Sequence, residues 1–196
     1  MGIEISFWHA LKIFTLGISL GRINLLFAGI TLSLGAIAQV PDSVVDSCVL
    51  LEGVDASVQY KEIGGIGAFR DDEIPGYSLL NYDWRGVEYG CATSQRGSRD
   101  LIIVGRHRLP IGNATPIGEE RPAPLDSAQA AYSVVRYQDH DYYCVASNFE
   151  GLGRSGSFQN VRQTYIAPLV ARRGSPRMHG LYYAVRDIRR IERVQR

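Results

Sequence analysis

Lysine is nearly missing from this 196-residue chain, with two residues against 19 Arg. That imbalance points to codon usage rather than mechanism. Cysteine is scarce too, at three residues (Cys48, Cys91, Cys144), and no C-x-x-C pair occurs. The four His (His9, His107, His140, His179) are scattered, so neither a structural zinc site nor any other metal or cofactor is expected. No G-x-x-x-x-G-K-[ST] follows a strand, so Gly64-Gly65-Ile66-Gly67 and the glycines of 151–156 carry no nucleotide role. EF-hand spacing is absent around Asp71, Asp72, Glu73 and Asp83, which read as an exposed acidic loop. Asp139-His140-Asp141 lies near Cys144, but four residues of strand separate His140 from the thiol by about 13 Å. A proton transfer needs far closer contact, so no enzyme is expected. The chain holds no internal repeat and no low-complexity tract.

Residues 23–38 (INLLFAGITLSLGAIA) form a 16-residue apolar-rich run behind Lys12 and Arg22 and end in Ala36-Ile37-Ala38. Positive flank, short apolar core and small exit residues make residues 1–38 a secretory signal cleaved after Ala38, or an uncleaved anchor. The body is then secreted or membrane-tethered, in an oxidising compartment where three cysteines imply one bridge and one leftover thiol. Residues 39–196 suffice for one domain and a tail. Charge is lopsided: 16 acidic and 9 basic side chains lie in 39–149, against 3 acidic and 10 Arg in 150–196. The charge split reads as a solvated Arg-rich tail, with packing of the basic end on the acidic body, self-association or contact with an anionic surface as the alternatives. Nucleic acid is not an expected partner of a secreted chain.

Residues 43–52 (SVVDSCVLLE) read as a strand and 56–62 as another. Gly and Pro make 63–78 a loop. The alternation Val87/Tyr89/Cys91 predicts a half-buried strand over 86–93, and 100–105 a buried one. The Pro-rich segment 109–125 reads as irregular surface and contains the sequon Asn113-Ala114-Thr115, a candidate glycosylation site. Residues 126–137 carry mixed helix and strand preference. Strands are predicted over 141–147 and, last, 158–169, around a Gly-rich turn at 149–157. After a linker from Arg172, Tyr182, Val185, Ile188, Ile191 and Val194 recur every three residues, predicting a basic amphipathic helix over 181–195.

The run 142–151 has the skeleton Tyr142-x-Cys144-x-Ala146-x-Asn148-x-x-Gly151. It resembles the F-strand and F–G turn of immunoglobulin-like domains of the intermediate set. The resemblance covers residues 87–165 and implies an all-β, antiparallel β-sandwich. It puts strand B at the Val87/Tyr89/Cys91 strand (86–93), strand C at 100–105 and strand G at 158–165. It further implies an inter-sheet disulfide between Cys91 and Cys144, 53 residues apart, with Tyr142 as the corner tyrosine. Tyr142, Cys144 and Ala146 would face the core, while Asn148 and Gly151 would serve the turn. Two positions depart from the pattern: Ile103 stands where the family carries a core Trp, and His140 where it has Gly.

The organisation expected is therefore 1–38 signal or anchor, 39–80 N-terminal strands and loop, 81–170 immunoglobulin-like domain and 171–196 Arg-rich tail. The expected role is cell adhesion or recognition of a protein or glycan partner. Candidate contacts are Arg106, His107 and Arg108, with Phe149 and Arg154 in the turn at the other position. Cys48 would be free or would link a homodimer. The alternatives are an exported bacterial α+β enzyme or inhibitor, with Asp71, Asp72, His140 and Asp141 to inspect, and a membrane-anchored structural subunit.

Overall fold

Short strands dominate the described residues, and each finds a partner strand. The computed structural model describes residues 40–63, 68–70, 74–94, 99–149, 160–170 and 176–194. In chain order the elements are α1 (Asp42–Leu50), β1 (Val58–Glu62), β2 (Ala68–Arg70), β3 (Tyr77–Trp84), β4 (Val87–Ser94), β5 (Leu101–Val104) and β6 (His107–Pro110). Then follow β7 (Thr115–Ile117), β8 (Ala131–Tyr137), β9 (His140–Asn148), β10 (Val161–Val170), β11 (Arg177–Met178), β12 (Tyr182–Asp187) and α2 (Ile188–Val194). Two sheets result. The first runs β1-β8-β9-β10-β12-β7, with β11 also on β10, and the second is the meander β2-β3-β4-β5-β6. All pairings are antiparallel except β7 with β12.

The first sheet is buried on both faces. Tyr132, Val134, Tyr143, Val145, Tyr165 and Tyr183 meet Leu80, Tyr89, Cys91, Ile102 and Val104 of the second sheet in the main core. The opposite face carries Val135, Tyr142, Cys144, Ile166 and Ala184, covered by Val44, Val45 and Cys48 of α1. Each such large side chain taken fully from water contributes about 1.5–3 kcal/mol. The outer face of the second sheet has its own small cluster of Leu79, Ala92 and Ile103.

A mostly β, two-sheet sandwich is thus what the chain forms, but several finer expectations change. Residues 43–52 are helix, not strand. The valines of α1 have strand propensity, yet docking on the sheet outweighs a preference of a few tenths of a kcal/mol per residue. Leu51 ends the helix in a left-handed conformation (φ 65°), its N–H bonding Ser47 O at 3.0 Å. The disulfide joins Cys48 to Cys144, not Cys91 to Cys144. Cys91 is the buried free thiol. The reason is strand parity: Tyr142, Cys144 and Ala146 do share a face, but Tyr142 and Cys144 look at α1, while Tyr143 and Val145 look at the second sheet. A whole sheet separates Cys144 from Cys91. Cys48 is therefore neither free nor available to link two chains.

Ile103 likewise lies on the outer face, and its neighbours Ile102 and Val104 fill the main core. The 87–94 and 100–105 strands pair within one sheet, whereas the resemblance places strands B and C in opposite sheets. β9 and β10 do pair antiparallel, as the resemblance expects of its last two strands. Residues 158–169 are not the last strand, because β12 adds to β10. The row from Tyr182 to Val194 is strand as far as Asp187 and helix only from Ile188. Strand pairing crosses the expected boundaries at 80 and 170, since β1 pairs β8 and β12 pairs β10. Residues 1–38 lie outside the described residues, as do Asp71, Asp72, Gly151 and Arg154. No described helix is long and apolar enough to cross a membrane.

Candidate functional site

At one end of the sandwich the apolar core gives way to charge. β3 and β4 are joined by the two-residue turn Arg85-Gly86, with positive φ at both positions (53° and 71°), the pattern of a tight hairpin whose twist matches its strands. Gly adopts that conformation freely, but Arg does not. The turn holds Trp84 over the first sheet, half-buried, with the Arg85 guanidinium 4.6 Å from the centre of its ring. Tyr89 meets the indole edge-on, centroids 5.9 Å apart, and Tyr143 meets Tyr89 at 5.1 Å. Trp84 is thereby fixed from both sides.

Opposite this tip, Arg136 and Asp141 are cross-strand partners on β8 and β9. The guanidinium donates to both carboxylate oxygens, at 2.7 and 3.0 Å. This bond with Asp141 raises the Arg136 pKa further. Two cavities open beside the tip. One, of about 260 Å³, is walled by Gln59, Tyr60 and Lys61 of β1 with Val134. The other, of about 200 Å³, is walled by Val87, Tyr89, Asp139, Leu169 and Pro176. Trp84, Arg85, Arg136 and Asp141 line both and form the ridge between them. The first chamber carries Lys61, Arg85 and Arg136 against Asp141, a formal balance of +2 (three cations less one anion). The second carries Arg85 and Arg136 against Asp139 and Asp141, a balance of zero, on more apolar walls.

Behind the groove the core is tied by hydroxyls. Tyr143 Oη donates to Gly90 O at 3.2 Å, bridging the sheets. Tyr132 Oη donates to Ser127 O at 2.9 Å and lies 3.0 Å from Cys91 Sγ. Tyr165 Oη donates to Ala123 O, and Tyr183 Oη to Gln163 Oε1 at 3.0 Å. Buried Asp100 accepts from Ser94 N at 3.0 Å and Leu125 N at 3.2 Å. These bonds hold segment 123–129 between the sheets. Burial pushes the Cys91 thiol up to about 11 and the Tyr89 phenol to about 12. Burial also raises Tyr132, Tyr143, Tyr165 and Tyr183. Cys91 thus stays a protonated, inert thiol at neutral pH.

The expected contact residues are not brought together. Arg106, His107 and Arg108 sit on the β5–β6 hairpin, next to the Arg85 turn, as the Gly105 N to Glu88 O bond shows (2.6 Å). They are not among the described walls of the groove. Phe149 is at the far end of β9, bonded through its N–H to Val161 O. Asn148 is half-buried and pairs with Arg162. Asn113 is exposed at the end of a 3-10 turn. Of the alternative polar set, Asp141 lines the groove, but its carboxylate is committed to Arg136, and His140 is exposed outside it. No group of three His, Cys, Asp or Glu able to hold a metal occurs among the described residues.

Sequence reasoning missed Trp84, Arg85, Arg136 and Lys61. One signal was present: Arg85-Gly86 between the alternating runs 77–84 and 87–94 is a two-residue hairpin pattern that displays its flanking Trp84. Comparison with protein-family models, curated proteins and solved structures finds no match.

Proposed function

We propose that the sandwich is a recognition module, secreted or membrane-tethered, that binds a protein or glycan partner in the groove beside Trp84. The groove supports this reading most directly. It combines a clamped aromatic ring, polar side chains that point between the sheets and space of a size suited to a side chain or small ring. Arg85 adds weight, because a left-handed position that Asn or Gly would fill more easily holds a cation instead. The resemblance of residues 142–151 to immunoglobulin-like domains agrees with a binding role. Export rests on residues 1–38, and the buried Cys48–Cys144 disulfide accords with an oxidising compartment. Exposure of Asn113 leaves its sequon accessible to glycosylation.

The experiment is a parallel screen of the folded protein against a peptide-display library and an oligosaccharide panel, repeated with Trp84→Ala and Arg85→Ala. Ligands retained by the native groove and lost by both variants are the expected result. Screens that yield no ligand sensitive to either substitution would overturn the reading.

A further inference from the structure

Resting on that recognition reading, we infer that the groove takes an extended segment of a partner protein, which adds as a strand to the free edge of β1 and offers an acidic side chain to Lys61 and Arg85. Among the described residues β1 pairs only with β8. The Ile63 N to Tyr132 O bond of 2.8 Å sets the alternation of the ladder. Lys61 opposite Val134 and Gln59 opposite Arg136 are then the pairs that exchange hydrogen bonds. Tyr60 and Glu62, between and beyond them, direct their N–H and C=O groups away from β8. The Val58 N–H is already taken by Asp55 O at 3.2 Å. The edge therefore offers main-chain groups at two alternate residues, the spacing that a further strand requires.

Parity then sets which side chains greet the newcomer. Tyr60 packs toward the α1 side, so Gln59 and Lys61 point into the gap between the sheets, where they line the first chamber with Arg85 above. Arg136 is matched by Asp141. Lys61 and Arg85 have no carboxylate partner among the described residues, which leaves two unmatched cations beside an open strand edge. Inward-pointing charge at such an edge disfavours an apolar strand. The same charges select a strand carrying Asp or Glu. A glycan would use the cations but not the ladder of main-chain groups, and the observations favour a peptide for that reason.

The test uses a positional-scanning library of N-acetylated, C-amidated hexapeptides, read by fluorescence of Trp84 in a Trp8→Phe background. Neutral and acidic oligosaccharides form a second arm. Asp or Glu selected at one position is expected. Lys61→Glu should weaken the selected peptides by about tenfold or more, since it replaces attraction with repulsion. Hydrogen exchange should slow at the Tyr60 and Glu62 amides on binding, and peptides N-methylated along one edge should fail to bind. Peptides that bind without acidic selection, or without protecting those amides, would overturn the inference. So would concentration-dependent protection of the same amides without peptide, which would assign the edge to a second copy of the chain. If oligosaccharides alone perturb Trp84, the recognition reading stands and this inference falls. If neither probe class perturbs it, both fall.

Discussion

Arg85 sits at φ 53°, where a residue with a Cβ loses about 1–2 kcal/mol relative to the right-handed region and Asn loses less. Its stacking on Trp84 returns about 0.5–1 kcal/mol at an exposed site. Asn would relieve part of the backbone cost and forfeit the stacking, two changes of similar size and opposite sign, so Arg85→Asn should alter folding stability by no more than about 0.5 kcal/mol while weakening any anionic ligand. Urea titration beside ligand titration measures both; a large stability loss would mean that Arg85 serves the fold. Buried hydroxyls and the thiol make a second residue-scale prediction. Cys91 and Tyr89 ordinarily titrate at 9.0 and 10.0, but at about 11 and 12 in the folded protein. Below about pH 9 both states hold these protons. Between about 9 and 12 the unfolded chain releases them first, so the unfolding free energy falls as pH rises. Alkaline titration followed by circular dichroism and tyrosinate absorbance, compared with Tyr89→Phe, should show the Tyr89 phenol ionising together with loss of structure. Ionisation of Tyr89 near 10 in a protein that stays folded would contradict it.

Helix α1 shows what one element depends on. It covers the outer face of the first sheet through Val44, Val45 and Cys48. Arg162 donates to Val49 O near the helix end, and burial lowers the pKa of that guanidinium. The disulfide closes a separation of 96 residues, so Cys48→Ser should destabilise the protein by about 2–5 kcal/mol. Cys91→Ser, which touches no bridge, should leave the disulfide intact; thermal unfolding of the two variants separates them. The β3–β4 ladder holds another weak point. A Cβ on Gly90 would run into the Leu80 carbonyl oxygen and Asn81 Oδ1, and Gly90 O accepts the Tyr143 hydroxyl that bridges the sheets. Gly90→Ala should therefore cost about 1–3 kcal/mol, read as a shift in denaturation midpoint.

For the whole molecule the bridge pattern decides whether two copies can be joined covalently. Cys48 and Cys144 are joined within the chain, and Cys91 is fully buried. No thiol is left to link two copies. On denaturing electrophoresis the protein should run as a single chain with and without reductant, its unreduced peptide map should join 48 to 144, and Cys91 should react with a thiol reagent only after unfolding. A disulfide-linked dimer would overturn this arrangement.

The resemblance carried by residues 142–151 was enough to foresee a mostly β protein, and local apolar patterns located the strands around Tyr89, Ile102 and Tyr143, because such patterns belong to the chain itself. The 142–151 run also foresaw the antiparallel pairing of β9 with β10. Which face of β9 meets the second sheet was not legible: residues 142–147 are buried without a break, and a strand covered on both sides shows no alternation to read. The cysteine pairing followed from that choice of face and so stayed hidden with it. Helix α1 escaped notice because its valines favour a strand until the sheet is there to dock against. The groove was the least visible of all. Lys61, Trp84, Arg136 and Asp141 come from β1, β3, β8 and β9, and only the packing of two sheets over one another brings such distant residues around a common space.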